Sequence, residues 1–82
     1  MKASVLVRPK AGILDPQGEA VQSSLRQLGF PVGEARVGRL IDLEIEATSA
    51  DDARAKVESM CERLLANPLI ESYDIELEES GG

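Results

Sequence analysis

The segment Gly12–Pro31, GILDPQGEAVQSSLRQLGFP, carries the clearest structural signal in this sequence. Its apolar positions recur at the spacing of one face of an α-helix: Gly18, Val21, Leu25 and Leu28. Asp15 is a good N-cap, and Pro16 suits the first helical position. Gly29 favours a Schellman-type end in which Phe30 folds back onto the last turn. The segment therefore predicts an amphipathic helix with both ends marked.

Two stretches near the ends of the chain alternate between apolar and polar residues, as half-buried strands do. The first begins at Ala3 and is ended by Pro9, and the last runs from Tyr73 to Leu77. A second helix, capped by Thr48 or Ser49, is predicted before the last strand. Its predicted buried stripe consists of Ala53, Val57, Met60, Cys61, Leu64 and Leu65.

The middle of the chain alternates as well. From Ala35 to Ala47 the odd positions are apolar, with Arg39 as the exception. Gly38 lies beside that exception and predicts a hairpin or a sharp bend. One bent strand and two separate strands are both compatible with this pattern.

This order of elements, strand, helix, strand or hairpin, helix, strand, predicts an α+β fold. We expect a two-layer sandwich, a mostly antiparallel sheet with two helices on one face. A single domain would span residues 1–82, with a frayed tail at 79–82. The open face would carry Leu6 and Leu40 among charged side chains, and isolated exposed leucines are common. We nevertheless favour sheet-to-sheet or edge-to-edge pairing between subunits there.

Composition limits the classes of function. A net charge of −6 disfavours nucleic acid, and one Phe, one Tyr and no Trp leave few surfaces for base stacking. No apolar run has membrane-spanning length and no signal peptide precedes the first strand, so we expect no membrane association and a cytoplasmic location. With one cysteine and no histidine, neither an intrachain disulfide nor a Cys/His zinc site can form.

Chain length adds a constraint. A chain of 82 residues buries barely enough apolar surface to offset the conformational entropy lost on folding. Scaffolds of this size commonly rely on disulfides, metals or self-association. Because the first two lack the residues they need, self-association is the remaining expectation.

No catalytic constellation is apparent. Cys61 has no histidine to activate it and lies on the apolar stripe, which favours a core thiol. Asp42, Glu44 and Glu46 could be imagined as metal ligands, but alternation alone explains them as a solvated strand face. Neither a GxxxxGK[ST] nor a GxGxxG motif occurs, so no nucleotide-binding loop is visible.

The glycine in the first turn of the first helix has two explanations. Gly18 costs up to about 1 kcal/mol relative to Ala in a helix. It could let the helix approach the sheet closely, which composition favours. Alternatively, the missing side chain could make room for another chain at the helix N-terminus.

Several segments are specific enough to indicate a family. GILDPQGEAVQSSLRQLGF, VGRLIDLEIEA and CERLLANPLIESYDIEL follow one another along essentially the whole chain. In this they resemble the PurS family, small subunits of the multi-subunit formylglycinamidine ribonucleotide synthase of purine biosynthesis. LDPQGEAV and LLANPLIE are specific as a pair, and Gly38-Arg39 resembles the family's Gly-Arg/Lys segment.

The resemblance implies an auxiliary subunit without chemistry of its own. In the family's complex, a PurL-type synthetase uses ATP and Mg²⁺ to activate the substrate amide, and a PurQ-type glutaminase releases ammonia. PurS-like chains self-associate, as a homodimer or homotetramer, and help to join these two partners. We therefore expect no cofactor on this chain and predict partner contacts at Asp15, Pro16, Gln17, Gly18, Arg39, Leu6 and Leu40.

Two other functions remain open from the residues alone. Small α+β domains of this layout often bind metabolites between paired subunits, so a metabolite-sensing regulatory module is the main alternative. An acylphosphatase-like enzyme rests on topology only, with Arg8 as its one phosphate-binding candidate.

Overall fold

The computed structural model describes residues 1–78. Its elements in chain order are β1 (Lys2–Pro9), α1 (Pro16–Gln27), β2 (Arg39–Glu44), α2 (Ala50–Met60), a π-helical turn (Cys61–Leu65) and β3 (Glu71–Glu78). The three strands form one antiparallel sheet in the order β2-β1-β3. The predicted α+β fold is thereby confirmed, while the expected frayed tail at 79–82 lies outside the described residues.

The core forms on one face of this sheet. In the central strand β1, Val5 lies opposite Ile41 of β2 and Ile75 of β3. The odd positions of all three strands face the core, as the alternation predicts, because successive side chains of a strand point to opposite faces. The buried core consists of Ala3, Val5, Val7, Val57, Cys61 and Ala66.

Helix α2 covers the core from one side. Of the two predicted caps, Ser49 is the one used, since its hydroxyl accepts from the Asp52 backbone N–H at 3.1 Å. The Asp52 carboxylate accepts in return from the Thr48 N–H at 3.0 Å. Ala53 and Val57 are fully buried, which places the helix face as the sequence predicts.

The predicted buried stripe of α2 is wrong at one residue. The last turn of the helix, Cys61–Leu65, is π-helical and holds more residues per turn than an α-helix. The wider turn rotates the following positions, so Leu65 stays half-buried while Leu64 is 83% exposed. An α-helical period carried through this turn cannot predict that rotation.

The middle alternation gives one strand and no hairpin. β2 begins at Arg39, and Gly38 lies so close to the carbonyl oxygen of Val7 that a side chain would collide with it. Residues 31–38 are not part of a strand, although burial still alternates from Ala35 to Ala47 except at Arg39, which is exposed. The ladder reaches Ile45, whose N–H donates to the Met1 carbonyl at 2.9 Å.

The expectation that both helices cover one sheet face is wrong for α1. This helix does not pack along any strand, and Gly18 is its one buried residue. The exposed fractions are 42% for Val21, 73% for Leu28 and 56% for Phe30. The molecule measures 50 × 30 × 14 Å, and its radius of gyration of 16.0 Å exceeds the roughly 12 Å expected for a compact chain. We call residues 16–38 the arm.

Candidate interaction site

The base of the arm is held by Asp15. One of its carboxylate oxygens accepts from the Gly18 N–H at 3.0 Å, which is the predicted helix cap, and the other accepts from the Val37 N–H at 2.8 Å. These hydrogen bonds, the one from Val37 first, hold the pKa of Asp15 below its ordinary value. A single side chain therefore joins the start of α1 to the segment that leads into β2.

Gly18 is enclosed by its own chain. A side chain there would place its Cβ 2.5 Å from the carbonyl oxygen of Ala35 and against the Asp15 carboxylate. Gln22, one turn later, accepts from the Ala35 N–H at 3.2 Å. The glycine thus permits close approach of α1, although to residues 35–37 rather than to the sheet, and the space is filled without another chain.

Pro16 and Gln17 are exposed in the first turn of α1, beside the buried Gly18. No other part of residues 1–78 covers them. Their predicted role in partner contact stays a prediction.

The far end of α1 closes as the sequence predicts. Gly29 has φ +96°, which favours glycine, and its N–H donates to Arg26, while the Phe30 N–H donates to Leu25, both at 3.0 Å. The Arg26 guanidinium donates to the carbonyl oxygen of Val32 at 2.8 Å. The arm is therefore held together by its own hydrogen bonds.

Arg39 makes contacts within the chain. Its guanidinium binds Glu71 through two hydrogen bonds of 2.6 and 3.1 Å and also donates to the carbonyl of Leu65. Glu71 accepts from the Asn67 N–H at 2.8 Å as well. The hydrogen bond to Arg39, followed by the one from Asn67, lowers the pKa of Glu71, and the hydrogen bond to Glu71 raises the pKa of Arg39. Arg39 thus connects the start of β2 to the loop between the π-turn and β3.

Leu6 and Leu40 lie directly opposite each other on the open face of the sheet. Leu6 is half-buried and Leu40 is exposed. They line a shallow groove together with Arg8 and Arg36. The structure therefore brings these two predicted residues together, and Arg39 lines the same groove.

The reactive side chains are engaged or buried. Burial raises the pKa of the Cys61 thiol, and the neighbouring Glu62 adds to the effect. The Tyr73 hydroxyl donates to Glu62 at 2.8 Å, which raises its pKa to about 12. Asp42, Glu44 and Glu46 are exposed, as predicted. Within residues 1–78, no group of three acidic or cysteine side chains is placed to hold a metal ion.

Large apolar side chains are exposed along the arm and around the end of β1 at Pro9, a feature that sequence reasoning missed. This end, where β1 reaches Pro9, is called the apolar end and includes the arm. Lys10 holds the loop before β3 there, donating to Ile70 at 2.9 Å and to Pro68 at 2.6 Å. The exposed large apolar side chains here are Ile13, Leu14, Val21, Leu28, Phe30, Leu40, Leu64, Leu69 and Ile70.

The opposite end of the sheet is polar. Lys2 lies there between Glu44 and Glu78 in the ladder, and Ser4 donates to Asp42 at 2.7 Å. Contiguous exposed apolar surface is typical of interaction sites. The signal in the sequence is the apolar stripe of α1, although its spacing by itself predicts burial within the chain.

These features define a class, a small α+β interaction subunit. Its distinctive surface is apolar and lies at one end, and its conspicuous polar contacts hold the chain together. None of the helices in residues 1–78 has the length and apolar character needed to cross a bilayer.

Comparison with known proteins identifies the family. The family model described as PurS, phosphoribosylformylglycinamidine (FGAM) synthase, matches residues 2–79. Similar relatives include the PurS subunits of that synthase from Methanocaldococcus jannaschii, 39% identical with 95% of each chain covered, and Bacillus subtilis, 43% identical with 95% of this chain and 93% of the relative covered. The chain therefore belongs to the PurS family, which confirms the resemblance read from its segments.

Solved structures agree. The crystal structure of Methanocaldococcus jannaschii PurS superposes with a TM-score of 0.85 over 95% of both chains. A chain of the structure described as PurLQS from Thermotoga maritima is 37% identical, with a TM-score of 0.84 over 92% of this chain and 93% of that one. PurS is a subunit of FGAM synthase in purine biosynthesis, and the fold of this chain is that of the family.

Proposed function

We propose that this chain is a non-catalytic assembly subunit of FGAM synthase that joins a PurL-type synthetase to a PurQ-type glutaminase and supports ammonia transfer between them. The observation that carries the proposal is the apolar end. Nine large apolar side chains are exposed there, while the one cysteine of the chain is buried in the core. Such a surface favours binding to other proteins over chemistry.

The same surface supports self-association, as a homodimer or homotetramer. A chain with a radius of gyration of 16.0 Å leaves apolar surface exposed that a compact fold would bury. Association with a second copy would bury it. The relative solved as PurLQS supports both the synthetase and the glutaminase as further partners.

The reacting groups belong to the partners in this proposal. This chain binds no cofactor, and ATP and Mg²⁺ are used by the synthetase. Nucleic acid is disfavoured by the net charge of −6. In this proposal the chain is located in the cytoplasm together with these partners.

Reconstitution with purified synthetase and glutaminase tests the proposal. We expect the chain alone to turn over nothing, and its omission to abolish glutamine-dependent product formation while ammonia-dependent formation by the synthetase persists. Full glutamine-dependent activity without the chain would overturn the assembly role. Calorimetry of the isolated chain against amino acids and nucleotides separates the alternative, because micromolar binding would favour a metabolite-sensing module.

A further inference from the structure

The groove on the open face of the sheet gathers positive charge on an acidic chain. We call it the arginine groove and define it by Leu6, Arg8, Arg36, Arg39 and Leu40. Its volume is about 540 Å³, within the range of protein binding sites. Three of the nine lysine and arginine side chains line it, although the chain carries a net charge of −6. The groove is therefore a basic site on an acidic molecule.

Two of the three arginines are available to a ligand. Within residues 1–78, Arg36 forms no salt bridge. Arg8 pairs with Asp74 at 3.8 Å, and both of these side chains are more than half exposed, so the pair contributes little to stability. Arg39 is held by Glu71 and fixes the edge of the groove. The groove thus offers two guanidinium groups that are not committed to the fold.

The carboxylates of the open face are concentrated toward its other end. In the ladder Ser4 lies between Asp42 and Glu76, whereas Arg8, further along the same strand, lies beside Ser72. Negative charge therefore dominates near the start of β1, and positive charge dominates where β1 reaches Pro9. Such a separation attracts an anionic ligand to the arginine groove and repels it from the rest of the face.

The middle of the groove is apolar. Leu6 and Leu40 lie opposite each other there, and Leu40 is 58% exposed. A small anion bound to the arginines would leave Leu40 in water, whereas an apolar side chain of another protein would cover it. The groove therefore suits a polypeptide that presents an apolar and an acidic side chain together.

Resting on the proposed assembly function, we infer that the arginine groove binds an extended acidic segment of another subunit of the synthase. An apolar side chain of this segment packs on Leu6 and Leu40, and a carboxylate two residues away binds Arg8 or Arg36. Side chains two residues apart on an extended chain lie on one face, about 7 Å apart, which is also the spacing of Leu6 and Arg8. Guanidinium groups bind carboxylates through paired hydrogen bonds. A further copy of this chain would bring its own net charge of −6 and is the less favoured occupant.

Binding to the purified synthetase and glutaminase, separately and together, tests the inference. Arg36→Glu should raise the Kd by at least about tenfold for one of these partners, because a charge that attracts carboxylates becomes one that repels them. Arg54→Glu makes the same change of charge at an exposed position of α2 outside the groove, and it should change the Kd by less than about twofold. Circular dichroism and light scattering show whether both variants keep the fold and the oligomeric state of the parent chain.

Carbodiimide cross-linking identifies the occupant of the groove. The reagent joins a lysine amine to a carboxylate in contact with it, so Arg36→Lys allows the groove to capture an acidic residue. In the reconstituted complex we expect a link from position 36 to an Asp or Glu of the synthetase or the glutaminase, with an apolar residue two positions away. Arg54→Lys is the matched control and should give no link to either partner.

The outcomes separate this inference from the proposed function. If Arg36→Glu binds both partners as tightly as Arg54→Glu does, the docking assignment is overturned while the assembly function stands. A link from position 36 to a second copy of this chain also overturns it. So does a loss of inorganic phosphate binding in Arg36→Glu with both partner complexes intact, since the groove would then be a site for small anions. A parent chain that binds neither partner overturns both proposals.

Discussion

At the scale of single residues, Gly18 and Asp15 act as one unit. The Asp15 carboxylate can reach both the start of α1 and Val37 because Gly18 leaves room between them. Glycine destabilises a helix relative to alanine, but at this position it allows two backbone segments to approach closely. The sequence shows that residue 18 is a glycine, but it does not show that the carbonyl of Ala35 faces this residue.

Gly18→Ala should therefore destabilise the chain, although Ala is the better helix former. The new Cβ would collide with the Ala35 carbonyl, and the expected loss is about 1–3 kcal/mol in the free energy of unfolding. Urea unfolding at one protein concentration measures it. Gly33→Ala is the matched control, since its Cβ would meet open space. A Gly18→Ala chain as stable as this control would contradict the packing explanation.

The pKa of Tyr73 reports on the charge of Glu62, its hydrogen-bond partner beside the core. The pKa of about 12 is raised chiefly by the hydrogen bond to Glu62. The pKa of Tyr73 is higher in the folded chain than in the unfolded chain. The hydrogen bond to Glu62 therefore contributes its full stabilisation below about pH 10, and this contribution is lost as the pH rises through the folded pKa. In Glu62→Gln the pKa should fall back toward 10.

Absorbance titration of tyrosinate measures this pKa, and Tyr73 is the one tyrosine of the chain. Glu58→Gln is the control, since Glu58 makes only the smallest contribution to the shift. Equal titration of the parent chain and Glu62→Gln would contradict the assigned hydrogen bond.

At the scale of elements, Arg39 is a joint between β2, the π-turn and β3. The alternation of residues 35–47 marks Arg39 as an exception, and its side chain leaves the apolar series to bind Glu71 and the carbonyl of Leu65. Two hydrogen bonds to one carboxylate require the planar guanidinium. The exception thus has a structural cause inside the chain, while a partner contact there is untested.

Arg39→Lys should loosen the loop before β3. Lysine keeps the charge but cannot make the paired hydrogen bonds, so amide hydrogen exchange at Asn67 and its neighbours should rise by about tenfold. Arg8→Lys is the control, because the Arg8–Asp74 pair is exposed and its atoms are 3.8 Å apart. Unchanged exchange in Arg39→Lys would remove Arg39 from this structural role.

At the scale of the whole molecule, the arm decides the behaviour of the chain. The chain is more extended than a compact chain of its length, and large apolar side chains are exposed along the arm and at the end of the sheet from which the arm leaves. A small chain with such a surface is stabilised by association.

The thermal midpoint should therefore rise with protein concentration. Association stabilises the folded chain by mass action, and we expect a change of about 5 °C or more over a hundredfold concentration range. Differential scanning calorimetry measures the midpoint. Leu28→Asp should give a lower midpoint that no longer depends on concentration. A midpoint of the parent chain that is constant over this range would show that its stability does not depend on association.

The sequence by itself determined the first and last strands, both helices, the cap of the first helix, the core face and the family, because these depend on spacing and on local hydrogen bonds. Only the tertiary structure decided that α1 leaves the sheet, that the π-turn exposes Leu64, and that Gly18 faces Ala35. Local patterns specify which side chains are apolar, but not which surface covers them. That choice depends on contacts between residues distant in the chain.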